Sequence, residues 1–303
     1  MKAGSIGSVK FYKRLIIVVF TIVLLIPTII VSCVAVHYKA SLNEVETVMA
    51  DVSESVIVSN KRIGDNTILE SYVPSEEGKP LVIVQHGITT NRVDVLKTVY
   101  KLAEAGFFVV APDLYGHGER KKHDERALVM QGAVITSKGY DQIIEHYAKD
   151  KRCNTEKFGL TGFSVGGMVV FHYATYGKYR PTAIAPCIST PDWAGLETSY
   201  LAKTMVPTGT PDLPEDEPKK AKSMEVLENN SPMNEYMNMK DMHILMQNGG
   251  EDPIIGTKGI TNLYNLLHKE GTDISFIVHP KQGHTVPDNN VDNIVAFMKE
   301  HLQ

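Results

Sequence analysis

Short runs of apolar, mostly β-branched residues alternate with helical patterns along most of this chain. Runs of this kind are typical of strands buried on both faces. Their alternation with helices indicates a mostly parallel central sheet with helices on both faces, an α/β fold. The predicted strands are 66–73, 81–85, 107–111, 157–161, 182–187, 242–248 and 274–279. The predicted helices lie near 92–105, 125–149, 165–177, 257–270 and 290–302.

An uncharged apolar stretch of 22 residues, 15–36, precedes this pattern. At about 1.5 Å per residue, a helix of that length spans roughly 33 Å, enough for a hydrocarbon core of about 30 Å. The segment 1–14 before it is basic and acids follow it, so the positive-inside rule places the rest of the chain outside the cytoplasm. We predict a cytoplasmic segment 1–14, a single-pass transmembrane signal-anchor helix 15–36 and a spacer 37–55.

Processing of the same stretch is the alternative. The sequence around Cys33 loosely resembles a lipoprotein processing site, which would leave a lipidated or secreted mature form. Both interpretations place the remaining domain on the extracytoplasmic side. The three cysteines of the chain predict neither a disulfide framework nor a metal site.

Charge excludes one class of partner. After the basic N-terminal segment, the chain carries 27 basic and 35 acidic residues, a net charge of −8. A domain this acidic has no general electrostatic attraction for nucleic acid. We assign residues 56–303 to one domain and interpret 191–240, which is too long for a normal crossover, as an inserted cap.

The pattern G-x-S-x-G occurs at Gly162, Ser164 and Gly166, between a predicted strand and a predicted helix. A strand–serine–helix turn is the requirement of a nucleophile elbow, and the glycines permit close packing around it. The alternative interpretation of Ser164 is an ordinary helix N-cap. We predict that Ser164 is a catalytic nucleophile.

A serine nucleophile needs a base, and the base needs an orienting acid. Asp252 follows a predicted strand, with Glu251 as a substitute, and a turn residue before proline is the plain alternative. His284 follows the last predicted strand, with His279 as a substitute. Ser, acid and His then occur in the order expected for an elbow of this kind.

Two backbone N–H groups should stabilise the oxyanion of the reaction. The first is that of Val165, directly after the nucleophile, and the second is that of Ile88, in the loop after strand 81–85. His86 and Gly87 precede Ile88 and are expected to shape the site. The later loop that contains His117 is interpreted as structural.

The segments QHGITTNR, APDLYGHGER, GFSVGG, NSPMN, GGEDPI and QGH occur in the order found in the α/β-hydrolase superfamily. Over roughly residues 66–303 the chain resembles bacterial serine esterases related to prolyl oligopeptidase and dienelactone hydrolase. The resemblance implies an α/β-hydrolase fold, with Ser164, Asp252 and His284 as its triad.

The expected function is hydrolysis of a small-molecule ester through an acyl-serine intermediate, with short or medium acyl groups and with neither a metal nor a cofactor. Three alternatives remain open. The same triad could serve a peptidase or a lipid acyltransferase, or the scaffold could be a membrane-tethered binding protein without catalysis. Chain length and alcohol group of the substrate carry no sequence signal.

Overall fold

The computed structural model of the protein describes residues 55–74, 77–120, 129–196 and 225–303. The strands of these ranges are β1 (Ile57–Ile63), β2 (Asn66–Tyr72), β3 (Lys79–Gln85), β4 (Phe108–Pro112), β5 (Cys153–Phe163), β6 (Ala183–Cys187), β7 (His243–Gly249) and β8 (Ile274–His279). They form one eight-stranded sheet in the order β1-β2-β4-β3-β5-β6-β7-β8. Strand β2 runs antiparallel to β1 and β4, and every other pair is parallel.

Helices cover both faces of the sheet. They are α1 (Leu96–Glu104), α2 (Val129–Tyr147), α3 (Val165–Tyr176), α4 (Trp193–Leu196), α5 (Lys258–Lys269) and α6 (Asp288–Leu302). Helices α1 and α6 contact each other on one face, and α2 packs against α3 on the other. Helix α3 is buried from Val165 to Thr175, because the sheet, α2 and the 3₁₀ segment Pro232–Met239 all contact it.

The parallel strands bring six chain segments to one end of the sheet. Since β3 to β8 all point the same way, the loops that follow them meet at the carboxyl end of the sheet. Open parallel sheets bind ligands at this end. The segments that the topology brings together are those after Gln85, Pro112, Phe163, Cys187, Gly249 and His279.

The mostly parallel α/β prediction is confirmed, and each of the seven predicted strands is present with small shifts at its ends. Strand β1 was not among the predicted strands. Most of its side chains are exposed or half-buried, so it lacks the continuous apolar pattern of the inner strands. It joins β2 through a tight turn in which Gly64 has a φ of 57°, a conformation that glycine adopts without strain.

Four predicted segments lie wholly or partly outside the described residues, namely the cytoplasmic segment 1–14, the signal-anchor 15–36, the spacer 37–55 and the cap 191–240. The signal-anchor 15–36 lies wholly outside them; within the described ranges no helix has the length and apolar character to cross a bilayer. The predicted cap 191–240 is described only at its two ends. Its first end contains α4, and its second contains a helical turn at 225–229 and the segment Pro232–Met239.

Candidate active site

Ser164 occupies a sharp turn between the end of β5 and the start of α3. Its backbone has a φ of 55° and a ψ of −121°, a conformation that is uncommon and strained for a residue with a side chain. The Ser164 N–H donates a 3.1 Å hydrogen bond to the carbonyl of Cys187, at the end of β6. Ser164 occupies the N-cap position of α3, but its hydroxyl makes no hydrogen bond to an α3 amide and so does not cap the helix.

The glycines around Ser164 allow backbone segments to touch. A Cβ at Gly162 would lie 2.5 Å from the carbonyl oxygen of Gly166. A Cβ at Gly166 would overlap the carbonyl oxygens of the chain at the end of β3, and one at Gly87 would lie 3.2 Å from the carbonyl oxygen of Phe163. A larger residue at Gly162 would therefore displace the start of α3, and one at Gly166 or Gly87 would displace the loop after β3.

The three residues predicted as nucleophile, base and acid form one hydrogen-bonded chain. His284 Nε2 lies 2.8 Å from Ser164 Oγ, and His284 Nδ1 lies 2.8 Å from Asp252 Oδ2. An ionised carboxylate only accepts, so the His284 ring proton sits on Nδ1 and leaves Nε2 free to accept the hydroxyl proton. This is the arrangement in which a serine can be activated.

Asp252 is 7% exposed and is held from two sides. Its Oδ1 accepts hydrogen bonds from the N–H groups of Ile254 at 2.9 Å and Ile255 at 3.1 Å, while Oδ2 faces His284. Burial alone would raise the pKa of Asp252, but the hydrogen bonds from His284 and the two amides outweigh it and leave the pKa below its ordinary value. Asp252 is therefore kept ionised beside the imidazole.

The two substitute candidates are not part of this hydrogen-bonded chain. The side chain of Glu251 is exposed, although its backbone N–H donates to the carbonyl of Gln282 at 3.0 Å. His279 Nε2 lies 3.3 Å from Gln247 Oε1. His117, in the loop interpreted as structural, packs beside His86 with ring centroids 5.7 Å apart. In the described structure Ser164 Oγ is hydrogen-bonded to His284.

The two proposed oxyanion donors lie on the segments flanking Ser164. Val165 is the first residue of α3, and Ile88 belongs to the loop whose Gly87 would bring a Cβ within 3.4 Å of Ser164 Cβ. Among the described residues, no backbone hydrogen bond outside helices and strands uses the N–H of Ile88 or Val165. Both groups are thus available to a substrate oxygen.

His86 holds the loop after β3 in place. Its buried ring donates from Nδ1 to the carbonyl of Gly87 at 2.7 Å and accepts at Nε2 from the N–H of Leu114 at 2.9 Å. This pattern requires the neutral imidazole. Burial lowers the pKa of His86 to about 4, which agrees with a neutral ring. His86 therefore shapes the site and does not react.

An ion pair that the sequence did not reveal fastens the same loop. Arg92 Nη1 lies 2.5 Å from Asp113 Oδ2, and the backbone N–H of Arg92 donates to Asp113 Oδ1 at 2.9 Å. Arg92 also reaches Glu119, whose own N–H donates to Asp113 Oδ2. The segments after β3 and β4 are thereby joined. Arg92 is the last residue of the segment QHGITTNR. The sequence pattern predicted this loop but no role for Arg92.

Asn248 is a second residue that sequence reasoning missed. It is fully buried near the end of β7, and its side-chain amide joins three backbone groups. Oδ1 accepts from the N–H of Ser189 at 3.2 Å, while Nδ2 donates to the carbonyls of Ser189 at 3.3 Å and Gly256 at 2.9 Å. Asn248 thus ties the end of β6 to the loop that carries Asp252.

Comparison with known proteins matches residues 69–205 to the Dienelactone hydrolase family. Esterase YjfP of Escherichia coli (strain K12) is 22% identical over 252 residues, which cover 81% of this chain and 99% of the relative. These matches include the segments of Ser164 and of the loop after β3.

Solved structures share the fold at low sequence identity. TT1662 from Thermus thermophilus superposes with a TM-score of 0.63 at 19% identity, covering 82% of this chain and 98% of that one. A puromycin-hydrolyzing peptidase from Mycobacterium tuberculosis gives a TM-score of 0.65 at 17% identity, over 81% of this chain and 39% of that one. At these identities the likeness establishes the fold alone.

Proposed function

We propose that this chain, whose residues 69–205 match the Dienelactone hydrolase family, is a serine hydrolase that cleaves carboxylic esters through an acyl-serine intermediate. The observation that carries the proposal is the hydrogen-bonded chain from Ser164 Oγ through His284 to Asp252. The strained turn at Ser164, which presents the hydroxyl to His284, supports it independently. The similarity to an esterase named in the comparison points in the same direction.

The proposed reaction has two proton transfers in each half. Ser164 Oγ attacks the ester carbonyl carbon while His284 Nε2 takes the hydroxyl proton, and the tetrahedral intermediate forms. His284 then gives that proton to the departing alkoxide, which leaves as the alcohol. A water molecule attacks the acyl-serine in the same way and releases the carboxylic acid. Asp252 orients His284 and stabilises the imidazolium formed in each half.

The oxyanion and the substrate complete the proposal. We assign the N–H groups of Ile88 and Val165 to the oxyanion, because they flank Ser164 and are free of other backbone partners in the described structure. We expect small esters with short or medium acyl groups, since a cap of about fifty residues encloses only a modest pocket. The reaction uses side chains and backbone amides alone.

Labelling by a fluorophosphonate probe tests the activation of Ser164. The full-length wild type should be labelled and should hydrolyse a short p-nitrophenyl ester, whereas Ser164→Ala should lose labelling and about a millionfold of the rate. Ser275→Ala, which removes an exposed hydroxyl on β8, is the matched control and should behave as wild type. Hydrolysis that survives in Ser164→Ala would overturn the assignment.

Product analysis distinguishes the alternatives that use the same residues. The enzyme is incubated with an ester, a peptide and an ester plus an acyl acceptor, and the products are identified by mass spectrometry. Free acid from the ester supports the proposal. Preferred peptide cleavage would indicate a peptidase, and transfer to the acceptor would indicate an acyltransferase. A folded protein without labelling or products would favour a binding role.

The location of the domain is a separate part of the proposal. We assign residues 15–36 to a membrane anchor with the hydrolase domain on the extracytoplasmic side, because charge-free apolar sequence follows four basic residues. The full-length chain should remain in the membrane fraction after alkaline carbonate extraction, and protease added outside should digest the domain. A mature N-terminus at Cys33 or later would show processing in place of an uncleaved anchor.

A further inference from the structure

Two histidines and an aspartate meet at the edge of the sheet opposite Ser164. His243 begins β7, Asp273 directly precedes β8, and His301 lies in the last turn of α6. Strands β7 and β8 are parallel, and Ile244 pairs with Ile274, so His243 and Asp273 are adjacent. Successive members of this cluster are about thirty residues apart in the chain, so no short sequence motif predicts the cluster.

The side chains of the cluster already face one another. His243 Nδ1 lies 2.6 Å from Asp273 Oδ2, and the rings of His243 and His301 stack with centroids 4.0 Å apart and planes 18° apart. One ring nitrogen of each histidine and a carboxylate oxygen all lie within 4.8 Å of one another. Phe297 packs edge-on against His301 with centroids 4.6 Å apart and supports the outer ring.

One hydrogen bond already joins two of the three side chains. His243 Nδ1 donates to Asp273 Oδ2 at 2.6 Å, because an ionised carboxylate only accepts. A metal binds the neutral imidazole and the ionised carboxylate, so a bound cation would take the place of the proton between these two groups.

The donor set and the access both suit a zinc-like ion. Two imidazole nitrogens and a carboxylate oxygen are ligands that Zn²⁺ takes, at bond lengths of about 2.0–2.2 Å. Tetrahedral bonds of that length place the donor atoms about 3.3 Å apart. The side chains of His243 and Asp273 are 38% and 63% exposed, so they have room to rotate until the donor atoms converge, and water can supply the fourth ligand.

We propose that His243, Asp273 and His301 form a binding site for one divalent cation of the zinc class, on the opposite edge of the sheet from the reacting residues. The bound ion joins the beginnings of β7 and β8 to the end of α6. Its role is to fasten the C-terminal helix to the edge of the sheet, and it takes no part in ester cleavage.

Zinc titration of the full-length protein against a chromophoric chelator tests the site, with Zn²⁺ alone as the probe. Wild type should compete for one equivalent. His243→Ala, His301→Ala and Asp273→Asn should each weaken that binding at least about tenfold. His268→Ala, which removes another histidine stacked on an aromatic ring, is the matched control and should bind as wild type.

Further variants and a second readout keep the test decisive. Asp273 is largely exposed, so Asp273→Asn should fold even if a histidine variant does not. His284→Ala should retain the zinc equivalent, and a loss there would assign the ion to the site at Ser164 and overturn the proposal. Zinc should also slow amide exchange in α6 of wild type but not of Asp273→Asn. Unchanged affinity in folded Asp273→Asn and His301→Ala would equally refute it.

Discussion

Replacing Asp252 by asparagine tests whether the carboxylate sets the tautomer of His284. Oδ1 of Asp252 accepts from the N–H groups of Ile254 and Ile255 at 2.9 and 3.1 Å, and Oδ2 lies 2.8 Å from His284 Nδ1. An asparagine keeps both amide bonds only when its oxygen takes the Oδ1 position. The opposite orientation sets an NH₂ group against two donors, each of which costs about 1–3 kcal/mol when left unsatisfied.

The favoured orientation points the new NH₂ group at His284. Because that group donates, Nδ1 must accept and the ring proton moves to Nε2, which then cannot take the Ser164 proton. We expect kcat for a short p-nitrophenyl ester to fall about 10⁴-fold, as the equivalent replacement does in a serine protease triad. At about 1.36 kcal/mol per factor of ten, this is roughly 5 kcal/mol of barrier. KM should change little.

The control is Glu251→Gln, which removes the neighbouring, exposed carboxylate and should leave kcat within about twofold of wild type. Circular dichroism and thermal melting establish that both variants are folded. A folded Asp252→Asn that keeps kcat within about tenfold of wild type would refute the tautomer argument. A large loss of kcat in Glu251→Gln, without one in Asp252→Asn, would show that Glu251 is the acid in place of Asp252.

Two further predictions concern stability. Burial lowers the pKa of both His86 and His172 to about 4. The unfolded chain, with ordinary pKa values near 6.5, therefore binds their protons first as the pH falls, and each should remove about 2 kcal/mol from the free energy of unfolding between about pH 7.5 and pH 5. Urea unfolding at the two pH values checks this, and equal free energies would contradict it. Asp113→Asn leaves the buried Arg92 with the exposed Glu119 as its remaining carboxylate partner and should cost about 3 kcal/mol in urea unfolding at neutral pH. A loss below about 1 kcal/mol would show that the Arg92–Asp113 pair is replaceable.

The sequence predicts functional residues that directly follow a strand. It does not predict residues whose contact depends on how two separate loops pack together. Ser164, Asp252 and His284 could each be named because each follows a predicted strand, and parallel strands bring their carboxyl ends together. Arg92 and Asp113 meet only because the loops after β3 and β4 adopt one particular arrangement. That pairing has no local signature along the chain.

The same reasoning explains the errors at the margins of the sheet. The inner strands β3 to β7 each contain a continuous buried run, and burial on both faces makes such runs easy to recognise. In strand β1 every side chain before Ile63 is exposed or half-buried, and the strand forms by pairing with β2, so its sequence resembles a loop. The cluster of His243, Asp273 and His301 also depends on tertiary contact and could not be predicted from spacing.

Strand β8 is the last strand at its edge of the sheet, and Ile274 is its one buried side chain. The proposed nucleophile, Ser164, directly follows the central strand β5, whereas the proposed base, His284, follows the edge strand β8. Local unfolding of β8 would therefore abolish activity before the core of the domain unfolds. Esterase activity should disappear at lower urea than the fluorescence change of Trp193, the single, buried tryptophan. A cation bound at the beginning of β8 would reduce the difference between the urea concentrations at which activity is lost and at which Trp193 fluorescence changes.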